Sequence, residues 1–417
     1  MRHMLSSLVA ICLSATTATA TDWLQFRGPD GSGVAKATKA SAEWSDTKNL
    51  LWKTDLPGHG SSSPILVGEQ IFVTYYTGAG KDNPSAEGLK RHLVCLNRAG
   101  KIQWTRDIAA DAADDAYRGF QALHGYASST PASDGKHVYC FFGIAGVVAF
   151  DLDGKQIWRS SVGKQTHRWG SGSSVVLHDD LVIVNAGVES GEIVALYKAD
   201  GKKAWSQQSG TDWTWSTPIL AKTTNGTELV SSARNAVTGI NLKTGKVAWT
   251  CNGVQDYVCP SVVVNDGVAF AIGGRSNTAI AFKLGGSGDV TAANQLWSAK
   301  KGSNVSSPLY YNGHIYWAHD ASGTVYCLNA KTGDVVYEKR LSPEPGRIYA
   351  SATLADGKIY YVTRENGTYV IEASPTFKQL AHNTFAADRS VFNASPAIVD
   401  GRIYLRSDRA IYCIGEK

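Results

Sequence analysis

Apolar and polar residues alternate along most of the chain in runs of about four to eight residues, the pattern of half-buried strands. Gly, Asp and Asn interrupt those runs at short intervals, where tight turns belong. Ser306 to Arg340 shows the unit well: SSPLYY, NGH, IYWAHD, ASG, TVYCLNA, KTGD, VVYEKR. It predicts four short antiparallel strands, with hairpin turns at Asn312-Gly313 and Thr332-Gly333, because Gly adopts the positive φ such turns need.

The unit recurs. A small-residue segment, often closed by Pro, ends at Pro64, Pro131, Ser174, Pro218, Pro260, Pro308, Ala352 and Pro396, with intervals of 67, 43, 44, 42, 48, 44 and 44 residues. A four-stranded sheet cannot bury both of its faces alone, so the copies must stack, and stacking in a closed ring removes long exposed edges. The fold class expected is therefore all-β, an eight-bladed β-propeller of four-stranded antiparallel blades. Blade starts fall near residues 61, 128, 171, 215, 257, 305, 349 and 393. The last copy has only three strands, ending at Cys413-Ile414, while an unattached strand surrounds Trp52. Residues 50–56 are thus expected to complete the last blade and close the ring.

Composition agrees with a single large β-domain rather than helical bundles: Gly 42, Trp 12, Tyr 18 and only two Met in 417 residues. A formal charge of +5, without a basic run, argues against nucleic acid as a partner. Residues 1–20 read as a secretory signal, with Arg2 and His3 ahead of the apolar Leu5 to Leu13 and a small-residue site at Ala18-Thr19-Ala20. A secreted or periplasmic monomer with no membrane span is expected, with residues 21–417 as one domain. Cys12 has bulky Ile11 before it, unlike a lipoprotein signal. Cys95, Cys140, Cys251, Cys259, Cys327 and Cys413 remain. Free buried thiols are the simpler reading, because Cys95, Cys327 and Cys413 repeat one strand position; Cys251 and Cys259 are close enough in sequence to pair. No spacing suits zinc.

Outer strands carry GK-x-x-W or a variant of it, at Trp104, Trp158, Trp205, Trp249, Trp297 and Tyr337, with Trp52 in the N-terminal strand. This motif resembles the PQQ-like repeat of quinoprotein-type and BamB-like β-propellers over nearly the whole mature chain. The resemblance implies eight blades, and aromatics that dock each outer strand on the next blade. Trp23 to Gly33, WLQFRGPDGSG, looks like the opening of secreted bacterial proteins with such repeats. Quinoprotein dehydrogenases of this type place adjacent cysteines over the quinone and hold calcium with carboxylate and amide ligands. Here no two cysteines are adjacent and no matching ligand set is found, so their catalytic residues do not carry over. No cofactor is expected, with PQQ and calcium as the alternative.

No P-loop, nucleophile elbow, HExxH or calcium loop occurs. Ser61 to Ser63 recur at strand starts, which favours packing near the axis over catalysis. Loops preceding the inner strands should share one face around the channel. They carry His59, His124, Tyr126, Arg168, Trp169, Trp213, Trp215, Asp256, Tyr257, Asn304, Arg347, Tyr349, Arg389 and Asn393. Aromatic faces with guanidinium groups suit an anionic or glycan-like ligand or a peptide or protein segment. A single carboxylate, Asp256, disfavours glycoside hydrolysis. His59 and His124 fall at corresponding places in the first two blades, where they could share a metal or a proton, but lone histidines in polar loops are more often hydrogen-bonded structure, and no metal is expected. The first blade has two insertions, Thr77 to His92 and Ala109 to Gly125; the second has the composition of a short helix and leads into the channel face. The expectation is a binding scaffold, with a quinoprotein-type oxidoreductase of alcohols or sugars as the alternative.

Overall fold

The computed structural model describes residues 22–36, 38–80, 86–109, 114–117, 121, 126–210 and 214–416. The expected leader, His124, Trp213 and most of the second insertion lie outside them. The described strands form eight sheets, and five of these are built from strands consecutive in sequence; blade four gains Gly288–Asp289 as a fifth strand, parallel to Val247–Asn252, blade five skips that strand, and blade eight takes one from the N-terminal segment. First strands begin at Ile65, Ala132, Val176, Ile219, Val263, Leu309, Thr353 and Ala397. They are largely buried and approach the first strands of adjacent blades, so they line the axis of an eight-bladed propeller. The true spacing is 67, 44, 43, 44, 46, 44 and 44 residues. Matching Pro260 to Pro218 sets Cys259 opposite Thr217; in the fold Ser261 takes that place, two residues before Val263 as Thr217 is before Ile219.

Ring closure follows the expected route. Leu50–Asp55 pairs antiparallel with Ala410–Ile414 as the outer strand of blade eight, Trp52 opposite Cys413 and Lys53 opposite Tyr412. The buried Arg406 guanidinium fastens the same seam, donating to the carbonyls of Ser62 (2.8 Å) and Thr74 (2.6 Å) in blade one.

The small-residue segments have a specific task. Two residues before each first strand stands a Ser or Thr whose hydroxyl oxygen accepts the amide of the equivalent residue in the blade before. The links run from Ser63 N to Thr130, Thr130 N to Ser174 and Ser174 N to Thr217, at 2.9–3.0 Å. They resume from Ser261 N to Ser307, Ser307 N to Ser351, Ser351 N to Ser395 and Ser395 N to Ser63, at 2.9–3.1 Å. Backbone donors facing the axis have no strand partner, and these hydroxyls satisfy them. Between blades four and five the link is replaced: Ser216 Oγ donates to Pro260 O and Trp215 N to Val258 O.

Outer strands explain the GK-x-x-W motif. The residue before each docking aromatic, such as Gln103, Ile157, Ala204 or Leu296, is skipped in the ladder as a bulge, which turns the ring toward the next blade. The indole N–H groups of Trp52, Trp158, Trp205 and Trp297 donate to Arg98, Lys198, Leu242 and Ala330 carbonyls there, at 2.8–2.9 Å. Each ring lies on the turn glycine of that neighbouring blade; a Cβ on Gly201 would stand 2.5 Å from Trp158 and one on Gly245 2.7 Å from Trp205. Trp249 differs. It is fully buried and its N–H goes to Glu228 Oε2 (2.8 Å) in its own blade, while its ring meets Phe282 of blade five. Tyr337 packs on Phe377 at the next seam but one. Blade seven has Ala381 at the aromatic position, and the N-terminal segment contributes Trp44 to that cluster, stacked on Tyr360.

The six cysteines among the described residues are all unpaired, Cys251 and Cys259 included. No helix among the described residues is long and apolar enough to cross a membrane.

Candidate functional site

Residues 22–36 run across one end of the channel. Trp23 bridges Leu66 of blade one, Leu24 O accepts from Ser133 N of blade two, Arg27 donates to Pro308 O of blade six, and Val34 bridges Leu354 of blade seven. Phe26 thereby faces the axis. Above it lies a cavity of about 510 Å³, walled by the hydroxyl ring and opening among the loops at the other end. The WLQFRGPDGSG segment is therefore the floor that makes the channel a blind pocket.

Two loops per blade reach this open end, because strands alternate in direction: the loop before the first strand and the turn between the second and third. Backbone bonds tie the two kinds together, as from Ile348 N to Asp320 O and from Arg364 N to Arg347 O. Sequence reasoning considered only the first kind. Arg168, Trp169, Trp215, Asp256, Tyr257, Asn304, Tyr349 and Asn393 line the cavity as expected loops would. Arg234 and Arg275, from second-to-third-strand turns of blades four and five, line it too, as do His167, Ser171 and Cys259. The signal for the two arginines was present, since both sit beside the turn residues Asn235 and Gly274, which have positive φ.

One wall is a chain of rings. His167 meets Trp215 edge-on at 5.1 Å, and Trp215 meets Tyr257 at 5.9 Å. Trp215 is held by its N–H on Gly170 O (2.8 Å), and the Tyr257 hydroxyl accepts from Asn304 Nδ2 (2.9 Å). Arg275 stacks over Tyr257 at 5.2 Å and Arg168 over Trp169 at 6.0 Å. Asp256, the only acidic residue in the cavity lining among the described residues, accepts from Tyr257 N and Arg275 N, so it shapes the loop. Desolvation and Arg168 push the His167 pKa down, which keeps that ring neutral near pH 7. The mouth is aromatic and cationic.

Four expected residues lie elsewhere. His59 sits at the closing seam, its Nδ1 on Asp408 (2.7 Å) and its Nε2 facing Arg409 (2.9 Å), so it serves ring closure rather than the cavity. Tyr126 is buried against Tyr76 and Tyr117, with its hydroxyl donating to Asp115 O (2.6 Å). Arg347 is exposed and reaches the cavity only through its bond to the Tyr349 hydroxyl (3.1 Å). Arg389 is exposed outside the lining. Beside Tyr126, Arg91 forms a buried bidentate pair with Asp114, which docks the described part of the second insertion on blade one.

Ser171 connects the cavity to a small polar chamber of about 20 Å³, where its hydroxyl donates to Glu189. Burial pushes the Glu189 carboxyl up to about 7, against the opposing pull of that hydroxyl and of Arg91.

The residues present do not fit a calcium-held quinone. No three His, Cys, Asp or Glu side chains converge among the described residues, and Asp256 is already committed to backbone donors. No redox step is derived from this cavity.

The family model for outer membrane protein assembly factor BamB, a PQQ-repeat model, matches residues 31–168, 89–339 and 286–406. The chain belongs to this family. Among solved structures, BamB from Moraxella catarrhalis is similar with a TM-score of 0.61 at 14% identity, over 88% of this chain and 97% of that one. The computationally designed Ika8 protein is similar with a TM-score of 0.60 at 13% identity, over 88% and 100%. A europium-containing methanol dehydrogenase follows with a TM-score of 0.52 at 11% identity, over 95% and 98%. No curated protein matches the chain. At such identities these likenesses carry the fold alone, and an assembly factor, a designed protein and a dehydrogenase sharing it show that fold does not fix chemistry.

Proposed function

We propose that the protein is an exported, non-catalytic β-propeller that captures an anionic ligand in its channel mouth: an acidic glycan or an acidic segment of a peptide or protein partner. One observation carries this reading. A blind cavity of about 510 Å³ is rimmed by Trp169, Trp215, Tyr257 and Tyr349 together with Arg168, Arg234 and Arg275, against one committed carboxylate. That size and lining suit a small molecule or the tip of a larger one. The rings offer stacking faces, and the guanidinium groups offer bidentate bonds to carboxylate, sulfate or phosphate. The family's name, outer membrane protein assembly factor, supports a partner-binding role.

The test is a binding array of acidic and neutral oligosaccharides and peptides against the mature chain and a Trp215→Ala/Arg275→Ala variant. Acidic members are expected to bind and to weaken at least tenfold in the variant; acidic hits kept at full strength would move the site elsewhere. A parallel sample receives PQQ with calcium and is assayed for dye reduction with alcohols and sugars. Turnover there would replace binding by oxidoreductase chemistry.

A further inference from the structure

We propose that the hydroxyl ring at the base of the cavity is an oxyanion seat, which takes the carboxylate, sulfate or phosphate end of the ligand while the aromatic mouth holds the rest. The inference rests on the cavity being a ligand site, and it names what the site reads. Seven ring hydroxyls line the cavity, and each is at least nine-tenths buried, from Thr130 at 1% to Thr217 at 7% exposed. Each oxygen already accepts an amide N–H from the blade before it. Among the described bonds none of the seven donates to a protein acceptor. A hydroxyl has one hydrogen to give, and an oxygen that accepts a hydrogen bond makes that hydrogen a better donor. The collar thus offers the cavity several polarised O–H groups, each on an oxygen with one of its two lone pairs already taken.

Among the described lining residues the carboxylate and amide oxygens that could take those hydrogens are those of Asp256, Asn304 and Asn393. Of these described residues only Asp256 is acidic, and its two oxygens are taken by backbone amides. Phe26 closes the space beneath, so a bound anion is screened less than in open water. Ser61 Oγ, also in the lining but without a partner, adds another hydroxyl two residues before Ser63. Arg168, Arg234 and Arg275 at the mouth raise the local concentration of anions. A cation would meet donor hydrogens and positive charge; a neutral alcohol would satisfy fewer donors. Sign selectivity therefore belongs to the hydroxyl collar as well as to the arginines.

The experiment titrates the mature chain with benzoate, phenyl sulfate, phenyl phosphate, benzyl alcohol and benzylamine, followed by tryptophan fluorescence. At least one of the three anions is expected to bind ten or more times tighter than the alcohol, and the strongest identifies the head group. Thr130→Val/Thr217→Val should reduce that preference about tenfold, in line with hydrogen bonds to a charged group, and leave benzyl alcohol unchanged. Crystals of the unaltered chain soaked in selenate give a readout that needs no variant: anomalous density within hydrogen-bonding distance of the collar is expected. Density beside the mouth arginines alone, or no density, overturns the seat. So does an anion preference that survives the Val substitutions in a folded variant. Loss of all five probes in Trp215→Ala/Arg275→Ala, with the preference untouched by the Val pair, would leave the mouth site standing and remove only the seat. Failure of every probe to bind the unaltered chain would remove both.

Discussion

A single glycine and a single tryptophan from different blades explain why GK-x-x-W repeats. The turn glycine has positive φ, 70° at Gly201 and 69° at Gly245, and the preceding blade's indole occupies the space where a Cβ would stand. Gly313, in the Asn-Gly turn of blade six, shares the positive φ of 79° but meets nothing within 4 Å. Gly313→Ala should therefore cost only the left-handed backbone term, about 1–2 kcal/mol. Gly201→Ala should add about 1–3 kcal/mol of overpacking, and urea melts of the two variants will separate the contributions. Both residues were visible in the sequence; their partnership across the seam was not, because the contact is between blades. Glu189 was not singled out at all, since its chemistry comes from burial. An ordinary carboxyl ionises near 4.5 and this one near 7. Below the lower value both folded and unfolded chains hold the proton, and no penalty exists. Between the two values the unfolded chain ionises first, so stability falls as pH rises, reaching about 3 kcal/mol above pH 7. Glu189→Gln keeps the acceptor for Ser171 and escapes that penalty. It should raise the melting temperature at pH 8 and leave it unchanged at pH 4; an equal gain at both would mean the carboxyl is not the cause.

At the level of elements, strand alternation and turn chemistry made the blades legible, as the match of Leu309–Tyr311, His314–Ala318, Thr324–Asn329 and Val335–Arg340 to the sixth copy shows. The channel face was only half legible. Loops before the first strands were counted, but the turns carrying Arg234 and Arg275 were passed over as hairpin connections, although antiparallel alternation brings them to the same end. His59 misled for the opposite reason: its loop does lead to the first blade, but ring closure places Asp408 and Arg409 beside it before the channel is reached. Residues 22–36 gave no periodic signal, because a segment that crosses the channel borrows its partners from several blades instead of pairing with one. Trp23 anchors it, 2% exposed and exchanging backbone bonds with Leu66 at 2.9 and 3.0 Å. Trp23→Ala should cost about 3–5 kcal/mol. Hydrogen exchange at the Leu66 amide should accelerate well before that of the blade-five strands, and uniform acceleration would mean that the segment is not a separate floor.

For the whole molecule, a ring differs from an open stack in having no end blades, and that property here depends on one non-covalent strand. Blade eight would otherwise present Ala410–Ile414, buried at every position, as a bare edge, which is a template for pairing with another copy. Leu50–Asp55 covers it, Trp52 carries the contact on to Arg98 of blade one, and Arg406 satisfies two carbonyls of blade one from within. These act on one seam at different depths, so removing them should give graded results. Arg406→Met strands the Ser62 carbonyl and leaves Thr74 O with the long Ser62 hydroxyl bond (3.4 Å), which should cost about 1–3 kcal/mol, the range for a buried group left unpaired, while the chain stays monomeric because the edge is still covered. A chain beginning at Pro57 loses both the floor and the closing strand, and it should elute as oligomers or aggregate by edge pairing. Supplying residues 22–56 as a separate peptide during refolding should recover monomer, since closure needs the strand and not its peptide link. A monomeric truncated chain with an unchanged melting temperature would mean that seven complete blades and three strands hold the circle by seam contacts alone, and the closing strand would then be an appendage.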